Sequence, residues 1–457
     1  MSDLLQFIRF KDMVSWSVHL LENSKLVFTN NYKLAYFNEF TKKADIEKVY
    51  IEDSVKYKIL GVRIYGLGVF LNREVFGSTL KMRMYQRVKE NHLFWCKVDT
   101  KNGGFGIITD DFSEGVASSN MALAELDTKK INTQYLQIFF KSKIFNKYMD
   151  NLVVGTTNRK YIKFNDLLNI IKIPLPTLKK QQEIVKNYQD KINLAKQQEQ
   201  QAQQKEAEIE TYLYQELGIE LPKEEKQNKD ILQFVRFKDL DRWDVLDILN
   251  RGNLSSNLFI VNSMSKDNSL FIDIFRGKSP KYNKSSKEII LNQKCNRWNS
   301  IKIKHSKSVE ANWINNIDKN LFTKKGDILI NSTGEGTIGR ASFVSKDFEG
   351  LLYDSHMLLL RVNKDILNSL YITFFINSKF GQEQINNIKS AVATKQTELG
   401  KNNLMKIIFI LPPLEIQNKI ATHIQTLKDE IQTLKQQAEQ NKTLALSEFE
   451  AEIFNAS

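Results

Sequence analysis

The sequence predicts an α+β protein made of two pseudo-repeats, each a β-rich body followed by a long α-helix. Three observations carry that expectation. Leu5-Gln6-Phe7-Ile8-Arg9-Phe10-Lys11-Asp12, followed by Trp16, returns as Leu232-Gln233-Phe234-Val235-Arg236-Phe237-Lys238-Asp239, followed by Trp243, at an offset of 227. Later the offset is 236: Phe112 meets Phe348, Ser119 meets Ser355, Met121 meets Met357, Tyr135 meets Tyr371, and Ser142-Lys143 meets Ser378-Lys379. Both copies then open a helix in the same way, Pro176 matching Pro412, Leu178 Leu414, Gln181 Gln417 and Ile184 Ile420. Self-similarity on this scale is the mark of a repeated architecture. Between the matching ends, roughly residues 25–100 and 253–335, the two copies show no convincing alignment.

The first body, about 15–150, has short apolar or alternating runs between turn signals. Ile59 to Leu71, with Gly61, Gly66 and Gly68, and Gly106-Ile107-Ile108 read as strands or strand edges. Tyr135, Leu136, Phe139, Phe140 and Ile144 have helical spacing, which predicts a helix over Asn132 to Asn151. In the second body, about 243–400, Gly326-Asp327-Ile328-Leu329-Ile330 is a turn feeding a strand, Ser332 to Arg340 is a glycine-rich loop, and Leu370 to Phe380 is helical.

The stretch from Leu411 to Ser457 organises the chain. After Pro413 it has no proline or glycine, and Ile420, Ile424, Leu427, Ile431, Leu434, Ala438, Asn441 and Ala445 recur in steps of four and three, a heptad seam. A helix of about 43 residues is roughly 65 Å long, and its stripe needs a partner. The partner expected is the helix over 177–217, where Val185, Tyr188, Ile192, Ala195, Ala202, Ile209 and Leu213 keep the same spacing although Glu199 and Glu206 interrupt it. Gly218 supplies a stop, and Leu221-Pro222-Lys223-Glu224-Glu225-Lys226 a polar linker.

At 457 residues the chain is long enough for several domains. Its net charge of +13 calls for a polyanionic partner. Two cysteines, Cys96 and Cys295, are too few for a disulfide scaffold and fit a reducing cytoplasm. Neither a secretory leader nor an apolar run long enough to span a membrane is visible, so a cytoplasmic location without membrane contact is expected. The charge is localised: residues 54–101 hold ten Lys/Arg against three Asp/Glu, and residues 276–340 hold fourteen against five. Aromatic residues are interleaved, Tyr85 among Lys81, Arg83 and Arg87, and Tyr282 among Lys278, Lys281 and Lys284. Lysine and arginine supply phosphate contacts, while polar and aromatic groups supply base choice. Expected DNA contacts in the first body are therefore Arg63, Lys81, Arg83, Tyr85, Arg87, Lys101, Asn102, Asn158, Arg159 and Lys160. Those in the second are Lys278, Ser279, Tyr282, Arg340, His356, Lys395 and Gln396.

Catalytic patterns are missing. Arg276-Gly277-Lys278-Ser279 ends like a phosphate-binding P-loop, but Ile272 stands where its first glycine is required. Tyr65-Gly66-Leu67-Gly68 reads as a strand bend. None of the six prolines lies in the Asn-Pro-Pro-aromatic phrase of an amino-methyltransferase or the Pro-Asp phrase of a nuclease. His19, His92, His305, His356 and His423 lack metal-ligand spacing.

Lys325-Gly326-Asp327-Ile328-Leu329-Ile330, Gly336-Thr337-Ile338-Gly339, Ile410-Leu411-Pro412-Pro413-Leu414-Glu415-Ile416-Gln417 and Ile420-Ala421, with Ile173-Pro174-Leu175-Pro176 and Gln181-Gln182-Glu183-Ile184 in the first half, follow one another in a twofold order. On these residues the chain resembles the DNA specificity subunits of type I restriction–modification enzymes. Thr177 and Lys179 depart from the usual pattern, and the first body has no clear Gly-Asp-Ile-Leu element. The resemblance implies target-recognition domains at 1–150 and 231–400, long spacer helices at 151–220 and 401–457, and a linker at 221–230. It implies that each domain reads half of a split double-stranded DNA site and that the helices pack as an antiparallel coiled coil. It further implies a non-catalytic chain that binds two methyltransferase subunits and two ATP-dependent restriction subunits. S-adenosylmethionine and ATP/Mg would belong to those partners, with no cofactor in this chain. The competing classes are a coiled-coil assembly protein with non-specific nucleic-acid binding, and a single-chain restriction–methylation enzyme.

Overall fold

The computed structural model describes residues 28, 31–97, 102–152, 168–169, 171–219, 254–334, 336–388 and 398–454. The repeated Phe7 and Phe234 segments and the 221–230 linker lie outside the described residues. Two compact units divide the chain: Met1–Gln200 with Leu434–Ser457, and Gln201–Thr433.

The first unit contains, in order, β1 (Leu34–Tyr36), β2 (Thr41–Lys43), β3 (Lys48–Tyr50), β4 (Lys56–Arg63), β5 (Gly68–Phe76), β6 (Met84–Arg87), β7 (His92–Cys96), β8 (Phe105–Ile107), β9 (Val116–Ala117), β10 (Met121–Leu126), α1 (Thr133–Lys141), α2 (Lys143–Leu152), β11 (Lys172–Pro174) and the start of α3 (Leu178–Glu216). The second contains β12 (Ile260–Ser263), β13 (Phe271–Arg276), β14 (Ile289–Leu291), β15 (Asn296–Arg297), β16 (Ser300–Ile301), β17 (Lys307–Ser308), β18 (Ile328–Asn331), β19 (Ala341–Phe343), β20 (Leu352–Tyr353), β21 (Met357–Val362), α4 (Ser369–Asn377), α5 (Lys379–Ile388), β22 (Ile408–Leu411) and the start of α6 (Leu414–Ile453). The end of α3, from Gln201, belongs to the second unit, and the end of α6, from Leu434, to the first.

Each unit has the same antiparallel frame. The four-stranded sheets run β2-β10-β7-β8 and β13-β21-β18-β19. Leu93 faces Ala124 and Ile107, as Ile328 faces Leu360 and Phe343. The two-stranded sheets match as well: Leu34 pairs with Pro174 and Val261 with Ile410, at the offsets of 227 and 236 found in the sequence. The middles that show no alignment as text therefore contain equivalent strands. Strand pairing needs only a period of two and a buried face, so register survives where residue identity does not. The additional sheets differ: the first unit has five strands ordered β3-β6-β9-β4-β5, and the second has β17-β14-β20 and the β15–β16 hairpin.

The glycine-initiated strand of the second body has a structural counterpart in the first, although the first body carries no Gly-Asp-Ile-Leu text there. Lys89-Glu90-Asn91-His92-Leu93 occupies the place of Lys324-Lys325-Gly326-Asp327-Ile328. Asn91 adopts φ 63° where Gly326 has φ 93°, and asparagine tolerates this left-handed region better than most residues. The Lys324 N–H donates to Asp327 Oδ2 at 2.7 Å, and the Lys89 N–H donates to His92 Nδ1 at 3.3 Å.

The helical stretch expected over Asn132 to Asn151 is two helices. The chain leaves α1 at Ser142, whose ψ is 131°, and the Ser142 hydroxyl accepts the Phe145 N–H at 3.2 Å, capping α2. Ser378 divides α4 from α5 in the same way, accepting the Gly381 N–H at 3.3 Å.

Each core closes on both long helices. In the first unit Leu93, Trp95, Phe105 and Phe139 are buried with Ile184 and Val185 of α3 and Phe449 and Ile453 of α6. In the second, Ile328, Leu360, Tyr371 and Phe375 are buried with Ile420 and Ile424 of α6 and Leu213 and Leu217 of α3. The heptad positions Ile420, Ile424, Leu427, Ile431, Ala438 and Ala445 are buried, and Leu434 and Asn441 are half-buried. Burial of each large side chain contributes roughly 1.5–3 kcal/mol. Within the first unit the helix segments run in opposite senses, Lys191 pairing with Glu448 at 2.8 Å and Glu199 with Lys442 at 2.6 Å. In the second, Lys205 pairs with Glu430 at 2.6 Å and Glu216 with Lys419 at 3.0 Å. Exposed pairs of this kind are worth about 0–1 kcal/mol each, so they select register more than they stabilise. The Gln-rich tract over 196–205 remains helical.

A buried glutamine fastens each helix start to its body. Gln181 accepts the Asn132 N–H at 2.7 Å and donates to the carbonyls of Lys130 at 3.0 Å and Pro176 at 2.8 Å. Gln417 accepts the Asn368 N–H at 2.8 Å and donates to Ile366 at 3.0 Å and Pro412 at 2.8 Å. Asn132 and Asn368 in turn cap α1 and α4. The hydroxyls of Tyr135 and Tyr371 close the arrangement on the carbonyls of Pro174 and Ile410. Gln417→Leu leaves a backbone N–H and two carbonyls without partners, each worth about 1–3 kcal/mol when buried. It should lower the stability of the second unit by at least about 2 kcal/mol in chemical denaturation, and a change below about 0.5 kcal/mol would show that the latch is idle.

Candidate nucleic-acid interface

In the second unit the basic surface is built on β13 to β17 and the loop after β18. Lys278, Ser279 and Tyr282 follow β13 and are exposed or, for Tyr282, 52% accessible. The Lys278 N–H donates to Tyr353 O at 3.2 Å, and the Lys307 ammonium lies 4.7 Å from the Tyr282 ring centroid. Arg276 holds Glu398 at 2.6 Å. In the glycine-rich loop, Thr333 Oγ1 and His356 Nδ1 are 2.8 Å apart, and the Ser332 N–H donates to His356 O at 2.8 Å. Arg340 donates to Gly336 O at 2.9 Å and places its guanidinium 5.4 Å from the centroid of Trp298. Burial, followed by the charges of Arg297, Lys304 and Lys294, lowers the pKa of His305. The structure thus brings Lys278, Ser279 and Tyr282 onto one strand exit, and His356 and Arg340 onto the loop. Lys395 and Gln396 lie outside the described residues.

In the first unit the described expected residues are dispersed, five on or beside the five-stranded sheet and Asn102 in the loop before β8. Arg63 ends β4 with its guanidinium 5.3 Å from the Phe70 centroid. Lys81 is exposed. Arg83 is paired with Asp53 at 2.6 Å and Arg87 with Glu47 at 3.0 Å. Tyr85 is 5% exposed and packs with Val49, Ile51 and Ile59, so its ring is part of the core and has no face open to a base. Alternation of a strand in a half-covered sheet explains its inward position. Asn102 is half-buried, and its carbonyl accepts the Tyr65 N–H at 2.7 Å. Lys101, Asn158, Arg159 and Lys160 lie outside the described residues. The Tyr65-Gly66 bend is the turn between β4 and β5, where Tyr65 and Leu67 are exposed. These two are absent from the expected contacts because a glycine pair signals only a bend.

Asp327, part of the recognised strand signature, is a structural residue. It forms a bidentate pair with Arg361 across neighbouring strands, at 2.8 and 2.7 Å, with both side chains buried or nearly so. The hydrogen bond and charge of Asp327 raise the pKa of Arg361 despite its burial. In the first unit His92 and Glu125 face each other at the equivalent place. Among the described residues no group of His, Cys, Asp and Glu could hold a metal ion, and no helix is long and apolar enough to cross a membrane.

The repeated antiparallel frame, with its long helices, places the chain in the mixed α/β class. Comparison with known proteins finds likenesses to part of the chain and to its fold. Residues 270–442 match the family model of the type I restriction modification DNA specificity domain. A 115-residue stretch is 30% identical to a protein named as the type I restriction enzyme MjaX specificity subunit of Methanocaldococcus jannaschii; the alignment spans 25% of this chain and 27% of that relative. A chain solved in a structural study of type I R-M complex assembly has the same fold, with a TM-score of 0.55 at 14% identity over 94% of this chain and 98% of its own. The HsdS subunit from Thermoanaerobacter tengcongensis aligns with a TM-score of 0.45 at 14% identity over 93% and 96%.

His92 links this frame to pH. Burial lowers its pKa below the ordinary 6.5, outweighing Glu125, which raises it. The folded state therefore binds the proton less readily than the unfolded state. The resulting stability is fully present above about pH 6.5 and is lost as pH falls from there through the lowered folded value. Thermal melts at pH 7.5 and 5.5 should show the acid loss for the wild type and a smaller one for His92→Gln; equal losses would exclude His92 as the cause.

Proposed function

We propose that the chain is the non-catalytic DNA specificity subunit of a type I restriction–modification complex. The observation that carries this reading is one frame used twice, with matching strand registers and matching glutamine latches, under two different basic surfaces. Each body reads one half of a bipartite double-stranded target. The two helices pack along their length as an antiparallel coiled coil, which sets the distance between half-sites. Together with the frame they dock two methyltransferase subunits and, in the nuclease form, two restriction subunits. S-adenosylmethionine and ATP/Mg act in those partners, in the cytoplasm. The opposite running sense of the helix segments within the first unit supports the antiparallel reading. A plain coiled-coil adaptor leaves the two distinct basic bodies without a purpose.

Two experiments test this. Exchange of residues 31–152 for the matching body of another specificity subunit should change one half of the methylated sequence in genome-wide methylation mapping and leave the other half intact. An unchanged motif would overturn the reading. Removal of one heptad from each helix should shorten the spacer between unchanged half-sites, whereas an unchanged spacer would reduce the helices to packing elements.

A further inference from the structure

The two bodies carry similar numbers of cations but treat them differently. In the first unit four cations on or beside the five-stranded sheet are matched by acids, Lys56 with Glu74 at 3.5 Å, Lys58 with Glu114 at 3.1 Å, and Arg83 and Arg87 with Asp53 and Glu47 at 2.6 and 3.0 Å, whereas Lys48, Arg63, Arg73 and Lys81 form no ion pair among the described residues. Residues 276–308 of the second unit hold ten Lys/Arg against a single acid, Glu288. Every lysine from 278 to 307 is exposed, and none of them forms an ion pair among the described residues. Of the acids that approach this stretch from elsewhere in the chain, Glu398 is engaged by Arg276, and Asp354, bridged through its backbone to Lys278, is buried.

The backbone that bears these lysines is held in place locally. Asn283 Oδ1 accepts the Ser285 N–H at 3.0 Å, and Ser286 Oγ accepts the Glu288 N–H at 3.2 Å. The Asn283 N–H donates to Ser308 O at 3.1 Å, and the Glu310 N–H to Lys281 O at 2.9 Å, which fastens the 278–284 segment beside 307–310. Like charges kept close on an ordered surface repel one another, and that cost is offset when a polyanion neutralises them. Cations already matched by carboxylates release far less on meeting a phosphate.

We infer that residues 276–308 form the principal phosphate-contacting surface of the protein, so that the second body supplies most of the sequence-independent, salt-sensitive affinity for DNA and the first body the smaller share. This rests on the DNA-reading function proposed above and adds a division of labour to it: the second body anchors the chain on a duplex, and the first discriminates once anchored. Lys281, Lys284, Lys302 and Lys304 are thereby assigned as phosphate contacts.

The test is the salt dependence of full-length chain binding to a short fluorescein-labelled duplex of arbitrary sequence, followed by anisotropy between about 50 and 200 mM salt. Neutralising one phosphate-binding cation lowers the slope of log affinity against log salt by about 0.9. The combined variant Lys281→Gln, Lys284→Gln, Lys302→Gln, Lys304→Gln should reduce the slope by about 3.6, a difference of about 10²-fold over that salt range. The variant Lys56→Gln, Lys58→Gln, Arg83→Gln, Arg87→Gln should reduce it by less than about 1. Arginine at the same four positions of the second body should restore the wild-type slope, which separates charge from any effect on folding. Equal reductions from the two bodies, or the larger reduction from the first, overturn the division of labour while leaving DNA reading intact. A wild-type chain without affinity for any duplex at low salt overturns the DNA reading and the inference together.

Discussion

A buried amide cannot leave its donors and acceptors unmatched, and each half of this chain is assembled around one. Gln181 and Gln417 are fully buried at the first turns of α3 and α6. Each joins three chain segments: the turn before a capped helix, the proline phrase that ends a strand, and the long helix itself. The remaining features follow from that junction. With the helix start fixed, the apolar stripe enters the core at Ile184 or Ile420, and the tyrosine hydroxyl finds the carbonyl two residues before the second proline position. Because the partners are almost all backbone groups, the device makes few demands on neighbouring side chains. This explains how it recurs unchanged in two halves that otherwise differ.

The same economy governs the strands. Asp327 and His92 do one local task, accepting a backbone N–H from a lysine three residues earlier, but their partners across the sheet differ in charge. Asp327 faces Arg361 and His92 faces Glu125. A buried carboxylate without its guanidinium would cost several kcal/mol, so the exchange requires both members of a pair to change together. What is retained is a polar residue beginning a buried strand after a left-handed position, filled by glycine in one unit and asparagine in the other.

Legibility in the sequence followed the kind of constraint. The helices were legible because burial of a stripe on α6 forces apolar residues to heptad positions, and Ile420 to Ala445 obey this. The glutamine openings were legible because the latch needs that side chain. The strands of the first body were not, since Leu93-Phe94-Trp95 and Ile328-Leu329-Ile330 satisfy the same register with different residues. The break at Ser142 was hidden because aromatic spacing continues across it. Among the expected contact residues, composition located the basic regions but could not distinguish Tyr85, a core ring, from Tyr282, an exposed one, as both sit among lysines and arginines.

The sequence by itself determined that this protein is a duplicated α+β chain with two long helices, two diverged basic regions and a family signature, because these are properties of order, period and charge. Only the tertiary structure decided which cations are neutralised and which remain open to a partner. Ion pairing depends on what the sheet brings alongside, as when Glu114 meets Lys58 or Asp53 meets Arg83, and such neighbours are distant in the chain. Net charge is additive along a sequence; the charge available to a partner depends on those neighbours in space.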